Sequence, residues 1–124
     1  MRGFRFLEDE GIDLVDASEA VTMARVVKSD DELALIKQAV AIADVGLAEV
    51  QKAIKPGVTE NELFGVLSYT NLRYGGEHTD CKALVAGGNT NPWNIREASD
   101  RMVRPGDLVG IDTDMAGPMG YFAD

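Results

Sequence analysis

The sequence predicts an α+β fold, with two consecutive helices laid over one face of an antiparallel sheet. Two observations carry that expectation. Ser29-Asp-Asp-Glu32 and Thr59-Glu-Asn-Glu62 are capping boxes, and each opens a long amphipathic pattern that ends at glycine. After them come short apolar runs of strand type, Lys82–Ala86 and Leu108–Ile111, set between Gly, Pro, Asn and Asp clusters. Helices first and strands afterwards favour segregated layers over an alternating parallel sheet.

Taken in order, residues 1–28 read as the tail of something upstream. Phe4, Phe6 and Leu7 are expected to close a helix that stops at Gly11, and Ile12–Asp16 alternates like a short strand. The first long helix starts at Ser29, with acidic residues in the first turn where the helix dipole favours them. Leu33, Ile36, Val40, Ala43, Leu47, Val50 and Ile54 recur at three- and four-residue steps and are expected to form its packing stripe. Lys52 and Lys55 lie in the last turn, and Pro56-Gly57 ends it. The second helix runs from Thr59 through Leu63, Phe64, Val66, Leu67 and Tyr74 to Gly75-Gly76.

Two later segments invite a chemical reading and do not earn one. Glu77-His78-Thr79-Asp80-Cys81 holds four metal-type residues, but successive strand positions point to opposite faces. His78 is expected to be an ordinary polar loop residue. Gly87-Gly88-Asn-Thr-Asn-Pro-Trp-Asn94 lacks the Lys-Ser/Thr of a phosphate loop. Trp93 is either a lid packed on the domain edge or an aromatic wall for a small sulfonium or ammonium group. Ile95–Arg104 is polar and uninformative.

The chemistry gathers in the last eighteen residues, Asp107–Asp124. The turn Arg104-Pro-Gly-Asp107 leads into Leu108–Ile111, and Asp112 and Asp114 follow at i and i+2. On a strand both carboxylates would leave the same face. Gly117-Pro118 and Gly120 then turn the chain, and Tyr121-Phe122 restart it. An odd loop centred near Pro118 would place Asp124 opposite Asp112, whereas a two-residue loop would send it to the other face. In the odd register three carboxylates crowd one patch, and no Lys or Arg follows Arg104 to neutralise them. Such a patch is either a solvated acidic hairpin or a cation site. Its all-oxygen ligand set would suit Mg, Mn, Ca or ferrous iron.

Composition bounds the rest. The 124 residues are 45% hydrophobic and 27% charged, a globular profile. A net charge of −9 argues against a nucleic-acid partner. The single Cys81 excludes an internal disulfide and fits a reducing compartment. No secretory leader pattern and no long apolar span occur, so a cytoplasmic protein without membrane insertion is the expectation.

The motifs G-D-L-V-G-I-D and G-Y-F-A-D resemble the first metal-ligand hairpin of the pita-bread metalloenzymes. That superfamily (M24) holds methionine and Xaa-Pro aminopeptidases, prolidase and creatinase. The resemblance implies that residues 1–28 end an N-terminal domain and its linker. Residues 29–124 would be the first half of a pita-bread catalytic domain, so the chain reads as a fragment. Most members carry two Asp ligands eleven residues apart, and this sequence departs from them with Asp112, Asp114 and Asp124. I-D-T-D-x-x-G-P-x-G-Y-x-x-D, together with T-N-P-W, is closer to the DddP-type dimethylsulfoniopropionate (DMSP) lyases. In that family all three Asp bind metal, completed by one His and two Glu that would lie beyond Asp124, as would the catalytic base. The implied function is β-elimination of DMSP to dimethyl sulfide and acrylate. The implied cofactor is a pair of divalent ions, iron foremost and Mn or Zn as others. The implied partners are a small-molecule substrate and, at full length, a second copy in a homodimer. An Xaa-Pro hydrolase is the alternative, although the substrate-facing His usual on the loop after the strand is missing. A non-catalytic binding module is a further alternative, weakened by three intact Asp.

Overall fold

The computed structural model describes residues 7, 9–78, 84–87 and 96–124. Its helices are α1 (Ser18–Ala24), α2 (Asp30–Ala53) and α3 (Glu60–Arg73), and its strands are β1 (Leu84–Ala86), β2 (Val109–Ile111), β3 (Met115–Ala116) and β4 (Phe122–Ala123). A 3-10 turn, Pro118–Gly120, lies between β3 and β4. The architecture is α+β, as the order of the capping boxes and apolar runs predicts.

Both capping boxes form. The Ser29 hydroxyl accepts from Glu32 N and Glu32 Oε2 accepts from Ser29 N at 2.7 Å. Thr59 and Glu62 repeat the exchange at the start of α3. Reciprocal bonds of this kind satisfy helix donors that have no partner inside the helix. Gly57 and Gly75, at φ 92° and 89°, make the left-handed turns that let each helix stop.

The packing face of α2 keeps Ala43 and Val50 of the expected stripe and differs from it elsewhere. Ala39, Ile42, Ala43, Gly46 and Val50 are buried, while Leu33, Val40 and Leu47 stay 42%, 45% and 38% exposed. The helix is rotated toward its small residues because the hairpin approaches it closely. A Cβ on Gly46 would meet Leu67 Cδ1 at 3.0 Å and Met115 Cε at 3.4 Å. A Cβ on Gly117 would collide with Ala39 Cβ. Large side chains on that face would hold the layers apart, so backbone proximity wins over side-chain size.

The core joins this face to Leu63 and Leu67 of α3, Leu84 and Ala86 of β1, Val103, Met115 and Ala123. β1 pairs antiparallel with β2 (Leu84↔Ile111, Ala86↔Val109) and β3 with β4 (Met115↔Ala123, Ala116↔Phe122). Segment 99–103 closes the sheet side of α3. Arg101 O and Ser99 O accept from Glu60 N and Asn61 N, and Val103 N donates to Val58 O.

Glu60, read from sequence only as a first-turn acid, is fully buried. Its carboxylate accepts from Ala86 N at 2.7 Å, Ser99 N at 3.0 Å and Ser99 Oγ at 2.6 Å. It therefore ties the start of α3 to the end of β1. Arg101 and Asp107 form an ion pair at 3.0 Å that lies over Gly87, where a Cβ would meet Arg101 Nη2.

The N-terminal expectations fare unevenly. Gly11 has φ 78°, as a helix stop requires, but Ile12–Asp16 forms no strand. A strand needs a pairing edge, and none among the described residues reaches it. Instead α1 follows, with no buried residue. Phe4, Phe6, the Thr79–Cys81 cluster, Lys82 and the loop with Trp93 lie outside the described residues. No helix among the described residues is long and apolar enough to cross a membrane.

Candidate metal centre

The hairpin carries the site. β2 ends at Ile111, and residues 112–114 leave regular pairing before β3 starts at Met115. Asp114 has φ 30°, in the positive region where Asp and Asn are the tolerated non-glycine residues. This kink sits between two carboxylates rather than on a continuous strand.

The loop between β3 and β4 is Gly117–Tyr121, five residues centred on Met119. It is odd, as the convergent register requires, but its centre is one residue beyond Pro118. The ladder that pairs Met115 with Ala123 therefore continues toward Asp114 and Asp124, not Asp112 and Asp124. The kink at Asp114 brings Asp112 in as well. One carboxylate oxygen from each of Asp112, Asp114 and Asp124 lies within 4.8 Å of the others. Asp112 and Asp114 are half-buried and Asp124 is exposed.

The residues between them point the other way. Thr113 is 4% exposed and Ala123 6% exposed, and the Thr113 hydroxyl donates to Ala123 O at 3.4 Å. Met115 is fully buried against the helices. Alternation thus puts apolar and hydroxyl groups in the core and carboxylates on the opposite face.

Electrostatics reports the crowding. The Asp112 carboxyl is held above the usual carboxylate range. Partial burial is the first cause, followed by a hydrogen bond shared with Asp124 and repulsion from Asp114 and Asp124. A shared proton is one way to relieve such a cluster, and a divalent cation is the other. Three hard oxygen donors converging on one point fit a hard or borderline divalent ion and do not suit a thiophilic one. His78 is exposed and joins no such group among the described residues.

Two anchors fix the hairpin from behind. Asn71, fully buried, donates through Nδ2 to Glu77 O at 2.6 Å and Ala116 O at 3.2 Å. Tyr121 donates its hydroxyl to Glu32 Oε1 at 3.0 Å, linking the turn to the first turn of α2. Neither contact was readable from sequence. The bonds from Asn71 to Ala116 and from Tyr121 to Glu32 join residues far apart in the chain, and neither residue type announces a distant partner.

Comparison with known proteins gives the family and the fold. Residues 34–124 match the model of metallopeptidase family M24. The whole chain aligns with dimethylsulfoniopropionate lyase DddP of Roseobacter denitrificans at 30% identity, covering 29% of that protein. The X-Pro aminopeptidase of Thermotoga maritima superposes with a TM-score of 0.76 at 28% identity, over 91% of this chain and 32% of that one. The prolidase of Pyrococcus furiosus gives a TM-score of 0.73 at 26% identity, over 80% and 31%. The chain thus spans about a third or less of the proteins it matches. With the α+β pita-bread fold of those neighbours and a family match over most of its length, the chain belongs to metallopeptidase family M24.

Proposed function

We propose that this chain supplies the three-carboxylate half of a divalent-metal centre in a DMSP lyase, with Asp112, Asp114 and Asp124 as ligands. The observation that carries the reading is Asp114. Most pita-bread enzymes place two Asp eleven residues apart, and here Thr113 stands eleven residues before Asp124. Thr113 is buried and bonded to Ala123 O, while its two neighbours turn outward to meet Asp124. That three-Asp arrangement is the feature by which the hairpin resembles the DddP-type lyases, and the whole-chain similarity to the Roseobacter enzyme supports it.

The residues' own work is to bind and to orient. Asp114, held at positive φ, and Asp112, half-buried, present oxygens from one side of the kink, and Asp124 closes the set from the returning arm. When bound, the metal, read as two ions with iron the first candidate, supplies positive charge beside the substrate carboxylate, where negative charge develops. In the proposed elimination a base takes the proton α to that carboxylate, the Cβ–S bond breaks with its electron pair leaving on sulfur, and acrylate and dimethyl sulfide result. No acid or base is assigned among the described residues.

The domain division follows the same reading. Every described residue from 9 to 30 is exposed and α1 buries nothing, as expected if residues 1–28 pack with an N-terminal domain and 29–124 with the catalytic one. A homodimer in the cytoplasm completes the proposal.

A second reading, an Xaa-Pro peptidase, is favoured by the solved neighbours, an X-Pro aminopeptidase and a prolidase. One experiment separates the two. The metal-loaded protein containing this chain is given DMSP and, separately, an Xaa-Pro dipeptide, with headspace dimethyl sulfide and free proline as readouts. Dimethyl sulfide without proline supports the lyase, and proline release alone overturns it in favour of the hydrolase.

A further inference from the structure

Asp124 reaches its partners at the end of a short returning arm. β4 is only two residues long, and a ladder that small is marginal without support. The arm must also hold together three carboxylates that repel one another. Inside the hairpin, Gly117 N donates to Tyr121 O at 2.8 Å and Thr113 Oγ1 to Ala123 O at 3.4 Å. Both bonds move with the hairpin and do not fix it to the rest of the chain. Among the described residues, the polar bond that ties this arm to a helix is Tyr121 Oη to Glu32 Oε1, at 3.0 Å.

We propose that Tyr121 is a positioning residue for the metal centre, holding the returning arm on α2 so that Asp124 stays within reach of Asp112 and Asp114. Glu32 is built for this double task. Its Oε2 closes the Ser29 capping box while its Oε1 receives Tyr121, so the carboxylate is already oriented by the helix start when the hairpin docks. The turn needs such a fixture. Met119 and Gly120 both adopt positive φ, 61° and 72°, and Gly117 lies directly on Ala39 of α2. Tyr121 thus closes the far side of a turn whose near side is already seated on the helix. The inference rests on the metal reading of the three aspartates.

The test uses the full protein containing this chain, with Mn²⁺ as the probe and two readouts: Mn²⁺ affinity by electron paramagnetic resonance, and metal-free amide exchange at Gly117. Tyr121→Phe should weaken Mn²⁺ binding about ten- to hundredfold, the worth of one hydrogen bond to a charged acceptor, and speed Gly117 exchange. Glu32→Ala should do the same and also lower Tm through the lost cap. Glu32→Gln, which can keep the Ser29 bond and donate its amide to the Tyr121 oxygen, should restore most of the affinity. In the double variant, Tyr121→Phe should add little to Glu32→Ala. Unchanged affinity and unchanged Gly117 exchange in Tyr121→Phe would overturn the proposal. A wild-type full protein that binds no Mn²⁺ would overturn the metal reading instead, and faster Gly117 exchange in Tyr121→Phe would then show the tether to be purely structural.

Discussion

Replacing Glu60 by Gln is the sharpest test of how the helix layer is joined to the sheet. Among the described residues the carboxylate receives three donors with no water-exposed surface, two of them backbone N–H groups on different segments. Gln keeps the shape but offers one carbonyl oxygen. If that oxygen faces Ser99, the side-chain NH₂ meets Ala86 N–H, donor against donor; if it faces Ala86, the NH₂ meets Ser99 N–H. The Ser99 hydroxyl can rotate, but the backbone donors cannot. One buried N–H is left without a partner, at a cost of about 1–3 kcal/mol. In a domain of this size that lowers Tm by roughly 5–20 °C. Glu60→Ala orphans both backbone donors and should cost about twice as much. Circular dichroism melts give the stability, and amide exchange at Ala86 and Ser99 gives the local effect. A Tm for Glu60→Gln within about 2 °C of wild type, with Ala86 exchange unchanged, would refute the argument.

Gly117→Ala should destabilise by about 1–3 kcal/mol, because the new methyl would press on Ala39 of α2 and on the Tyr121 carbonyl oxygen. Gly65→Ala should raise Tm by a few degrees, since a Cβ there meets open space on a helix and glycine is the poorer helix former by about 1 kcal/mol. Melts of both variants check the contrast, and equal effects would mean the layer spacing is misjudged. The pH dependence has two limbs. Glu32 and Glu62 are held below the usual range first by the backbone N–H of Ser29 and Thr59, and Asp107 first by its hydrogen bond from Arg101. Their contributions are complete above the unfolded carboxylate pKa and are lost as pH falls through the lower folded values, so acid unfolding should set in below about pH 4. Asp112 has the opposite sign. Its raised pKa gives stability that is full at low pH and lost as pH rises through the folded value. In metal-free protein, Asp112→Asn should therefore raise Tm at pH 7 and have little effect near pH 3. A Tm at pH 7 lowered by Asp112→Asn would contradict the crowding.

The helices were legible because their signals are local. Ser29 and Thr59 each find their capping partner three residues away, and Gly57 and Gly75 stop the helices by backbone freedom alone. The face of α2 was legible only in part. Ala43 and Val50 of the periodic stripe are buried, but the sheet's close approach selects Ala39, Ile42 and Gly46 over Leu33, Val40 and Leu47. The hairpin was half legible. Asp spacing and glycine placement marked a turn and left its parity open, and the centre at Met119 and the kink at Asp114 depend on positive φ values that sequence does not announce at Met or Asp. Glu60 and Tyr121 were invisible as anchors because their partners, Ala86, Ser99 and Glu32, are 26, 39 and 89 residues away.

The three-aspartate centre is tested most directly by titrating the full protein containing this chain with Mn²⁺ and comparing neighbours that differ only in which way they point. Wild type should bind, Asp114→Ala and Asp124→Ala should lose binding, and Thr113→Val should stay within about threefold, since Thr113 contributes only a long hydrogen bond to the core. Asp114→Ala binding as tightly as wild type, or Thr113→Val losing as much as Asp114→Ala, would contradict the assignment.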